Sequence, residues 1–249
     1  MGLLAVGLVG RSAQAGVAPP AIWRVCVTDV VAPPYLNGDP THPGLIERLV
    51  ADAGRQVGFS VLLVHFPVRR CKSMFVAHEI DSMIGPAGMG YESRVPMKGG
   101  AVDVSRRIAR INLIWVRRAE TPYDWDGRRF TGNPLGHPLV IGTRASFFPV
   151  QDRLDALGVT VDGAALNTHQ ALAKLAAKRV DLVLGVQEEI EFGLRDPALV
   201  ELVVLPRAFQ TLDYFALVHP GLDVATQAKV EAWWTAIARM RDQPELRDR

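Results

Sequence analysis

Two arginines stand where the chain passes from a predicted strand into a predicted helix, a position that suits anion binding. Arg70 follows the apolar run 59–66, and Arg144 follows the run 139–142. The planar guanidinium group of each residue can bind a carboxylate or a phosphate through two parallel hydrogen bonds. For Arg70 the competing interpretation is a surface salt bridge, and for Arg144 it is a side chain that faces solvent.

The turn around Arg144 offers further polar groups. Thr143 precedes the arginine, and Ser146 follows it two positions later. Serine is a favoured N-cap residue, and a helix N-terminus that faces a cleft also attracts anionic groups. The segment 142–146 is therefore a candidate anion site, with ordinary helix capping by Ser146 as the alternative.

No pattern in the sequence is typical of catalysis or of metal binding. The Gly-x-Ser-x-Gly motif of hydrolase nucleophiles does not occur. The two cysteines are isolated, whereas zinc sites use paired cysteines, and the histidines are scattered along the chain. These histidines are His42, His65, His78, His137, His169 and His219. We therefore expect no metal, no cofactor and no enzymatic activity.

The composition is typical of a globular protein. The 249 residues suffice for one large domain or two modest ones, and 49% of them are hydrophobic. The formal net charge is +2, and lysines and arginines form no runs, which argues against nucleic acid as a partner. Outside the N-terminus no segment approaches the roughly 20 apolar residues that a membrane-spanning helix needs.

The N-terminus has features of a secretory signal peptide. An apolar run covers residues 3–9, and the tripeptide Ala-Gln-Ala at 13–15 matches the small-x-small pattern of a cleavage site. No basic residue precedes the run, and a frayed apolar tail is the alternative interpretation. Removal of residues 1–15 deletes Arg11 and no acid, so the formal charge falls from +2 to +1. We therefore expect a periplasmic protein whose mature form is soluble.

Strands and helices alternate along the rest of the chain. Strands are predicted at residues 22–27, 59–66, 80–84, 111–117, 139–142, 159–161 and 180–186, and helices at residues 44–57, 68–77, 146–157, 168–178 and 224–241. The strand at 59–66 is mostly apolar, which predicts burial on both faces. In the last helix the spacing of Trp233 and Trp234 predicts core packing. The order of elements predicts an α/β fold.

Several short phrases occur in the order and spacing of one known family. They are residues 24–26 (RVC), 67–71 (PVRRC), 79–85 (EIDSMIG), 96–100 (PMKGG), 124–130 (DWDGRRF) and 180–184 (VDLVL). Over residues 22–241 the chain thereby resembles the type II periplasmic solute-binding proteins. Among these it resembles most the amino-acid-binding proteins of ABC importers, the bacterial extracellular solute-binding family 3.

The resemblance implies a two-lobed α/β fold in which each lobe is a mostly parallel sheet flanked by helices. Residues 22–112 and 212–249 would form one lobe and residues 113–211 the other, joined by a two-segment hinge. It implies a monomeric periplasmic protein that binds a small polar solute, amino-acid-like or carboxylate-bearing, between the lobes. Delivery to the inner-membrane permease of an ABC importer is the implied role. The alternatives are a sensor or accessory protein that serves a membrane receptor and, less favoured, a small dehydratase-like enzyme.

The resemblance also implies ligand contacts in the first lobe. Tyr35 follows the first strand, where the family places a residue over the ligand, and loop packing is its alternative role. Gly85 and Pro86 follow the third strand and would present backbone groups to the cleft. Arg94 stands near the position of the arginine that holds the ligand carboxylate in amino-acid binders.

One contact of amino-acid binders is missing from the second lobe. The family places an acid a few residues beyond the counterpart of Asp181, where it holds the ligand ammonium group. This chain has Val186 there, followed by Gln187. Because an uncharged group does not offset a buried ammonium, a standard α-amino acid is disfavoured as the ligand unless Glu188 or Glu189 substitutes.

The implied topology brings the two cysteines together. In this fold the first strand lies between the second and the third, so the helix that connects those two passes over the first strand. Cys26 lies on that strand and Cys71 near the start of the helix, which permits a disulfide in an oxidising compartment. Two buried free thiols are the alternative, since Cys26 can instead face the other side of the sheet.

Overall fold

The computed structural model describes residues 22–37, 39, 41–88, 93–133, 136–145 and 150–243. Within these ranges the strands are β1 (Ile22–Thr28), β2 (Ser60–Phe66), β3 (Ser82–Pro86), β4 (Met97–Lys98), β5 (Ala101–Val102), β6 (Ala109–Arg118), β7 (Asp124–Trp125), β8 (Phe130–Thr131), β9 (Val140–Arg144), β10 (Thr160–Ala165), β11 (Leu182–Val186), β12 (Leu202–Val204) and β13 (Gln210–Val218). The α-helices are α1 (Leu45–Gln56), α2 (Val68–Val76), α3 (Gln151–Ala156), α4 (Thr168–Ala176), α5 (Gln187–Gly193) and α6 (Val224–Arg241). The predicted signal segment 1–15 and Ser146 lie outside the described residues.

Each predicted strand has a counterpart in this order, and so has each predicted helix. Strand β6 begins two residues before its prediction, and β10 extends four residues beyond its own. The short pairs β4–β5 and β7–β8, strands β12 and β13, and helix α5 have no counterpart among the predicted elements. The differences therefore concern short elements and one long strand, β13, rather than the alternating framework.

Nine of the described strands form one sheet. Their order is β10-β9-β11-β6-β13-β3-β1-β2. Strand β12 pairs with the C-terminal end of β6, residues 116–118. Strands β1, β2 and β3 form one parallel set, and β9, β10 and β11 form another. Between the two sets run β6 and β13, which are antiparallel to each other and to their neighbours. The set β1–β3 with its helices is the first lobe, and the set β9–β11 with its helices is the second.

Strand β2 corrects one expectation. The sequence predicts burial on both faces for this apolar run, but β2 is the last strand at its edge of the sheet. Leu62 is 46% exposed and Phe66 is 36% exposed. An edge strand has a neighbour on one side only, and apolar composition alone does not reveal whether a second neighbour exists.

Tryptophans organise the cores of both lobes. In the first lobe Trp233 and Trp234 are fully buried, which confirms their predicted packing role. Their indole nitrogens donate to the backbone carbonyls of Val50, at 3.1 Å, and of Ala216, at 2.9 Å. In the second lobe Trp115 of β6 packs against aromatic rings from the β7–β8 hairpin. Each lobe therefore has a hydrophobic core of its own.

A disulfide joins Cys26 of β1 to Cys71 of α2, with the two Cα atoms 5.6 Å apart. The order β3-β1-β2 carries α2 over β1, which confirms the topology that predicted this bridge. Both cysteines are buried. The bridge closes a segment of 45 residues and fixes the first turn of α2 against the sheet.

Candidate functional site

The carboxyl ends of the two parallel strand sets face each other across β6 and β13. Pro86, the last residue of β3, pairs with Tyr214, which pairs with Ala109 on β6. Val186, the last residue of β11, pairs with Leu113 on the same strand. The two strand ends are therefore separated by about 13 Å along β6, given the usual rise per residue. Loops and helix N-termini of both lobes border the cleft between them.

The cleft contains a cavity of about 80 Å³, named here the central cavity. The described residues that line it are Val27, Thr28, Val30, Ala32, Tyr35, Leu36, Ile46, Val68, Ile84, Ile111, Arg144, Val186, Glu188, Glu189 and Tyr214. Most of these side chains are apolar, and they come from both lobes and from the two crossing strands. A molecule held in the central cavity would therefore contact both lobes.

A groove of about 720 Å³ adjoins the central cavity and shares four lining residues with it, Val30, Val68, Arg144 and Glu189. Its other described lining residues are Asp29, Val31, Pro67, Ala145, Leu166, Asn167, Thr168, His169, Phe192, Gly193 and Asp196. The first-lobe residues follow β1 or lie at the beginning of α2, and the second-lobe residues end or follow β9, follow β10, belong to α4 or α5, or follow α5. The groove is thus formed by the segments at the carboxyl ends of the strands.

A buried ion pair lies on the second-lobe side of the central cavity. Nε of Arg144 donates to both carboxylate oxygens of Glu189, at 3.3 Å and 3.1 Å. The hydroxyl of Thr168, the first residue of α4, donates to the same carboxylate. The exposed fractions of the two charged side chains are 15% for Arg144 and 5% for Glu189. Loss of either partner would leave a buried charge without compensation, so separating the two side chains would cost free energy.

Glu188 lines the same cavity but lacks such a partner. It lies near the beginning of α5, and its Oε2 atom is buried with no hydrogen-bond partner among the described residues. Burial raises the pKa of this carboxyl above its ordinary value of 4.5, against a backbone hydrogen bond that lowers it. The negative charges of Glu191 and Glu189 raise this pKa further. The described residues thus do not fully compensate the charge of the ionised carboxylate.

Tyr214 of β13 adds a polar group at the boundary between the lobes. Burial raises the pKa of its hydroxyl to about 12. The charge of Arg144 lowers this pKa and the charge of Glu189 raises it, which agrees with their positions in the same cavity. The hydroxyl is therefore neutral at physiological pH and can serve as a hydrogen-bonding group.

Tyr35 is placed at the cleft by the N-terminus of α1. The carbonyl oxygens of Pro34 and Tyr35 accept hydrogen bonds from the amides of Leu45, at 2.9 Å, and Ile46, at 3.1 Å. Gly44 lies so close to this loop that a Cβ atom there would overlap the Tyr35 carbonyl. Tyr35 lines the central cavity, and its side chain is partly accessible to solvent.

Three other predicted contacts lie in strands beside the cavity. Gly85 and Pro86 end β3, are buried and pair with β13. Thr143 is buried within β9. None of the three is among the described lining residues, and it is Ile84 of β3 that reaches the cavity wall.

The structure does not bring Arg70 or Arg94 to the cleft. Arg70 is 60% exposed, and its guanidinium lies 3.8 Å from the carboxylate of Glu79, which corresponds to the surface salt bridge considered from the sequence. Arg94 pairs with Val218, opposite the first residue of β3 and therefore at the end remote from the cleft. Its guanidinium bonds the carboxylate of Glu231 at 2.9 Å. The chain has already returned to the amino end of β3 by residue 94, so Arg94 is not among the described residues that line the cleft.

Several cavity residues were not anticipated as contacts. Asp29 comes just after the first predicted strand and Thr168 begins a predicted helix, and both line the groove; their places at the ends of elements are the signal in the sequence that identifies them. Tyr214 could not be identified in this way, because β13 was not predicted. Glu188 and Glu189 were considered only as substitutes for a missing acid, and the structure places both on the cavity wall.

A further cavity, of about 450 Å³, meets the central cavity at Tyr35, Ile46, Ile111 and Glu188. We name it the arginine-lined cavity because Arg107, Arg110 and Arg241 contribute to its wall. Two of these guanidinium groups contact the carboxylate of Asp213, at 3.4 Å and 3.0 Å. The guanidinium group of Arg241 donates to the backbone carbonyls of residues 105 and 107. These arginines are thus engaged in contacts within the protein.

Comparison with known proteins defines the fold. No protein-family model and no curated protein matches the chain. A histidine kinase sensor domain with similarity to periplasmic binding proteins shares 17% identity at a TM-score of 0.65, over 92% of this chain and 96% of that domain. The GluR0 ligand-binding core from Nostoc punctiforme in complex with L-glutamate shares 14% identity at a TM-score of 0.64, over 91% and 96%. The chain has the fold of type II periplasmic binding proteins.

A third solved structure is similar over nearly as much of the chain. The arginine-bound form of truncated ArgBP from T. maritima shares 11% identity at a TM-score of 0.63, over 88% of this chain and 96% of that one. These three proteins are binding proteins or sensor domains. Among the described residues, no helix combines the length and the apolar character needed to cross a membrane.

Proposed function

We propose that the protein binds a small polar solute, of amino-acid size, in the cleft between its lobes. The observation that carries this proposal is the lining of the central cavity, where Arg144, Glu188 and Glu189 stand among apolar side chains from both lobes. Burying charged groups costs folding free energy. Their concentration in one cavity at the carboxyl ends of the strands is typical of a binding site.

Closure about a hinge would complete the site. We propose that residues 22–112 and 212–249 move as one lobe and residues 113–211 as the other. The pairing of Asn112 with Thr211 in the two crossing strands and the separate hydrophobic cores support this division. Bending of β6 and β13 would bring the walls of the groove together around the ligand and exclude water.

The solved structures support a solute of this size. ArgBP from T. maritima is arginine-bound, and the GluR0 core is in complex with L-glutamate. By extension we propose that the chain belongs to the amino-acid-binding proteins of ABC importers. We also propose that it delivers the solute to an inner-membrane permease. The disulfide between Cys26 and Cys71 supports a periplasmic location, because such bridges persist in oxidising compartments.

Ligand sensing is the second candidate role. The similarity to a histidine kinase sensor domain favours it as a specific observation. In both roles the lobes close over a solute, and the roles differ in the membrane protein that recognises the closed form. Uptake of the radiolabelled ligand by cells with and without the gene separates them: loss of uptake favours transport, and unchanged uptake with loss of a transcriptional response favours sensing.

A thermal-shift screen of the purified protein tests the binding function. A solute that binds only the folded state raises Tm, and small-angle scattering should then show a smaller radius of gyration. Val30→Trp places a bulky ring where the central cavity and the groove meet and should abolish both effects. Leu62→Trp, on the exposed edge strand β2, is the matched control and should bind normally. Equal binding by both variants, or no response across amino acids, amines, carboxylates and sugars, would contradict the proposal.

A further inference from the structure

The charge of the cleft is opposite in sign to the charge of the whole protein. The described residues that line the central cavity and the groove include four carboxylates, Asp29, Glu188, Glu189 and Asp196, and one guanidinium group, Arg144. With His169 neutral, four negative charges and one positive charge give this lining a formal charge of −3, whereas the complete chain carries +2. A cleft lined by one sign of charge concentrates ligands of the opposite sign.

Arg144, the one cation among the described lining residues of the central cavity and the groove, is already paired with Glu189. Both carboxylate oxygens of Glu189 accept from Nε of Arg144, and Thr168 donates to the same carboxylate. A carboxylate ligand would have to compete with Glu189 for this guanidinium group and would raise the negative charge of the cleft. The side chain that the sequence suggests as an anion site thus compensates an acid of the protein itself.

The arginine-lined cavity, which Glu188 also borders, adds three arginines and the acid Asp242, so the described linings of the three cavities together carry a formal charge of −1. Residues 89–92 and 146–149, which adjoin the strand ends in the sequence, contain neither lysine nor arginine. In the arginine-lined cavity Arg107 and Arg110 contact Asp213, and Arg241 contacts Asp242. Within the central cavity Glu188 therefore remains the charge that a ligand can compensate, since Glu189 is paired with Arg144 and the buried Oε2 atom of Glu188 has no hydrogen-bond partner among the described residues.

We infer that the ligand is a small organic amine that is cationic and carries no carboxylate, with its ammonium group at Glu188 and its apolar body against the apolar wall. This inference rests on the proposed binding function and names its ligand class. Tyr35 lines the cavity together with Glu188, and an aromatic face there favours a cation. The central cavity of about 80 Å³ accommodates roughly five to eight non-hydrogen atoms, judged from the space that one water needs.

Three probes with a shared carbon skeleton test the ligand class. Isoamylamine is leucine without its carboxylate, and isocaproate is leucine without its amino group. By calorimetry on the purified full chain, isoamylamine should bind, and leucine and isocaproate should bind at least about 10-fold more weakly, because each brings a carboxylate into a negatively charged cleft. Affinity for the amine should also fall with added NaCl. Equal or tighter binding of leucine or isocaproate, or no binding of the amine, would overturn the inference.

Two matched variants test the role of Glu188. Glu188→Gln should weaken isoamylamine binding by about 10- to 100-fold, the usual effect of losing one charge-assisted hydrogen bond. Glu201→Gln makes the same change at an exposed site before β12, remote from the cleft, and should alter affinity less than about 2-fold. The unfolding midpoint of Glu188→Gln should not fall, which excludes misfolding as the cause of lost binding. Equal affinities for the two variants would overturn the assignment of the ammonium site.

The outcomes also separate this inference from the proposed function. If leucine or isocaproate binds and reduces the radius of gyration while the amine does not bind, the ligand class is wrong and interlobe binding stands. If the amine binds equally to the protein and to Val30→Trp, both the cavity and the proposed function are contradicted.

Discussion

Nε of Arg144 lies 3.1 Å from Oε2 of Glu189, and the two residues are 45 positions apart in the chain. Arg144 ends strand β9, and Glu189 lies in the first turn of α5 directly after strand β11. Adjacent parallel strands thus bring one cation and one acid together at their carboxyl ends. The pair compensates its own charge and leaves the neighbouring Glu188 as the uncompensated acid of the cavity.

Removing the guanidinium group from this pair should destabilise the protein. Arg144→Ala leaves Glu189 buried without its cation, and we expect a loss of about 3 kcal/mol in the free energy of unfolding. Urea denaturation at neutral pH measures this loss. Arg70→Ala removes an exposed arginine with a distant partner and should cost less than about 1 kcal/mol. Similar losses for the two variants would contradict the assignment of Arg144 to a buried ion pair.

Glu188 should make stability depend on pH in the direction opposite to that of a salt-bridged acid. Burial raises the pKa of this carboxyl in the folded protein above 4.5, its ordinary value. The protonated form therefore favours folding, and this contribution is lost as pH rises from about 4.5 through the raised pKa of the folded state. At pH 7.5, without ligand, Glu188→Gln should raise Tm by about 2–4 °C.

The same comparison at lower pH supplies the control for Glu188. Near pH 4.5 the difference in Tm between Glu188→Gln and the unmodified protein should become small, because the carboxyl is then mostly protonated in the folded protein and about half protonated in the unfolded chain, so little of the charge effect remains. A difference that does not change between pH 4.5 and pH 7.5 would show that the effect comes from packing rather than from charge.

The disulfide should stabilise the first lobe. Replacing both Cys26 and Cys71 by alanine removes a bridge across 45 residues, and we expect a loss of about 2–4 kcal/mol in the free energy of unfolding. Chemical denaturation measures the loss, and mild reduction of the unmodified protein should reproduce most of it. Thiol counting on denatured, unreduced protein should find no free thiol. Two free thiols would contradict the bridge in the native protein.

Gly44 should be required for ligand binding although it does not line the central cavity. Gly44→Ala places a methyl group against the backbone carbonyl of Tyr35 and should displace the loop that brings this ring to the cleft. We expect at least about 10-fold weaker binding, as a displaced contact group commonly costs. Gly221→Ala introduces the same group where no atom lies within 4 Å and should bind normally. Equal affinities would show that Tyr35 does not position the ligand.

Local patterns in the sequence determined most of the framework. The helical spacing of Trp233 and Trp234 depends on residues within a few positions of each other, so it can be identified without knowledge of the fold. The apolar runs that became β1, β3, β6 and β11 are recognisable for the same reason. The position of Cys71 at the start of α2, combined with the topology implied by the resemblance, was sufficient to predict its bridge to Cys26.

Only the tertiary structure decided which charged groups meet in the cleft. Strand β13 is stabilised by pairing with β6, whose residues lie about a hundred positions away in the sequence, as Asn112 does from Thr211. Because this pairing is not local, no pattern within β13 predicted the strand or the position of Tyr214. The pairing of Arg144 with Glu189 depends on the order of strands in the sheet, and the place of Arg94 depends on the end of β3 to which the chain returns. Such contacts between residues distant in sequence depend on how whole strands and helices pack. The neighbours of a residue in the sequence therefore do not reveal which side chains it will contact.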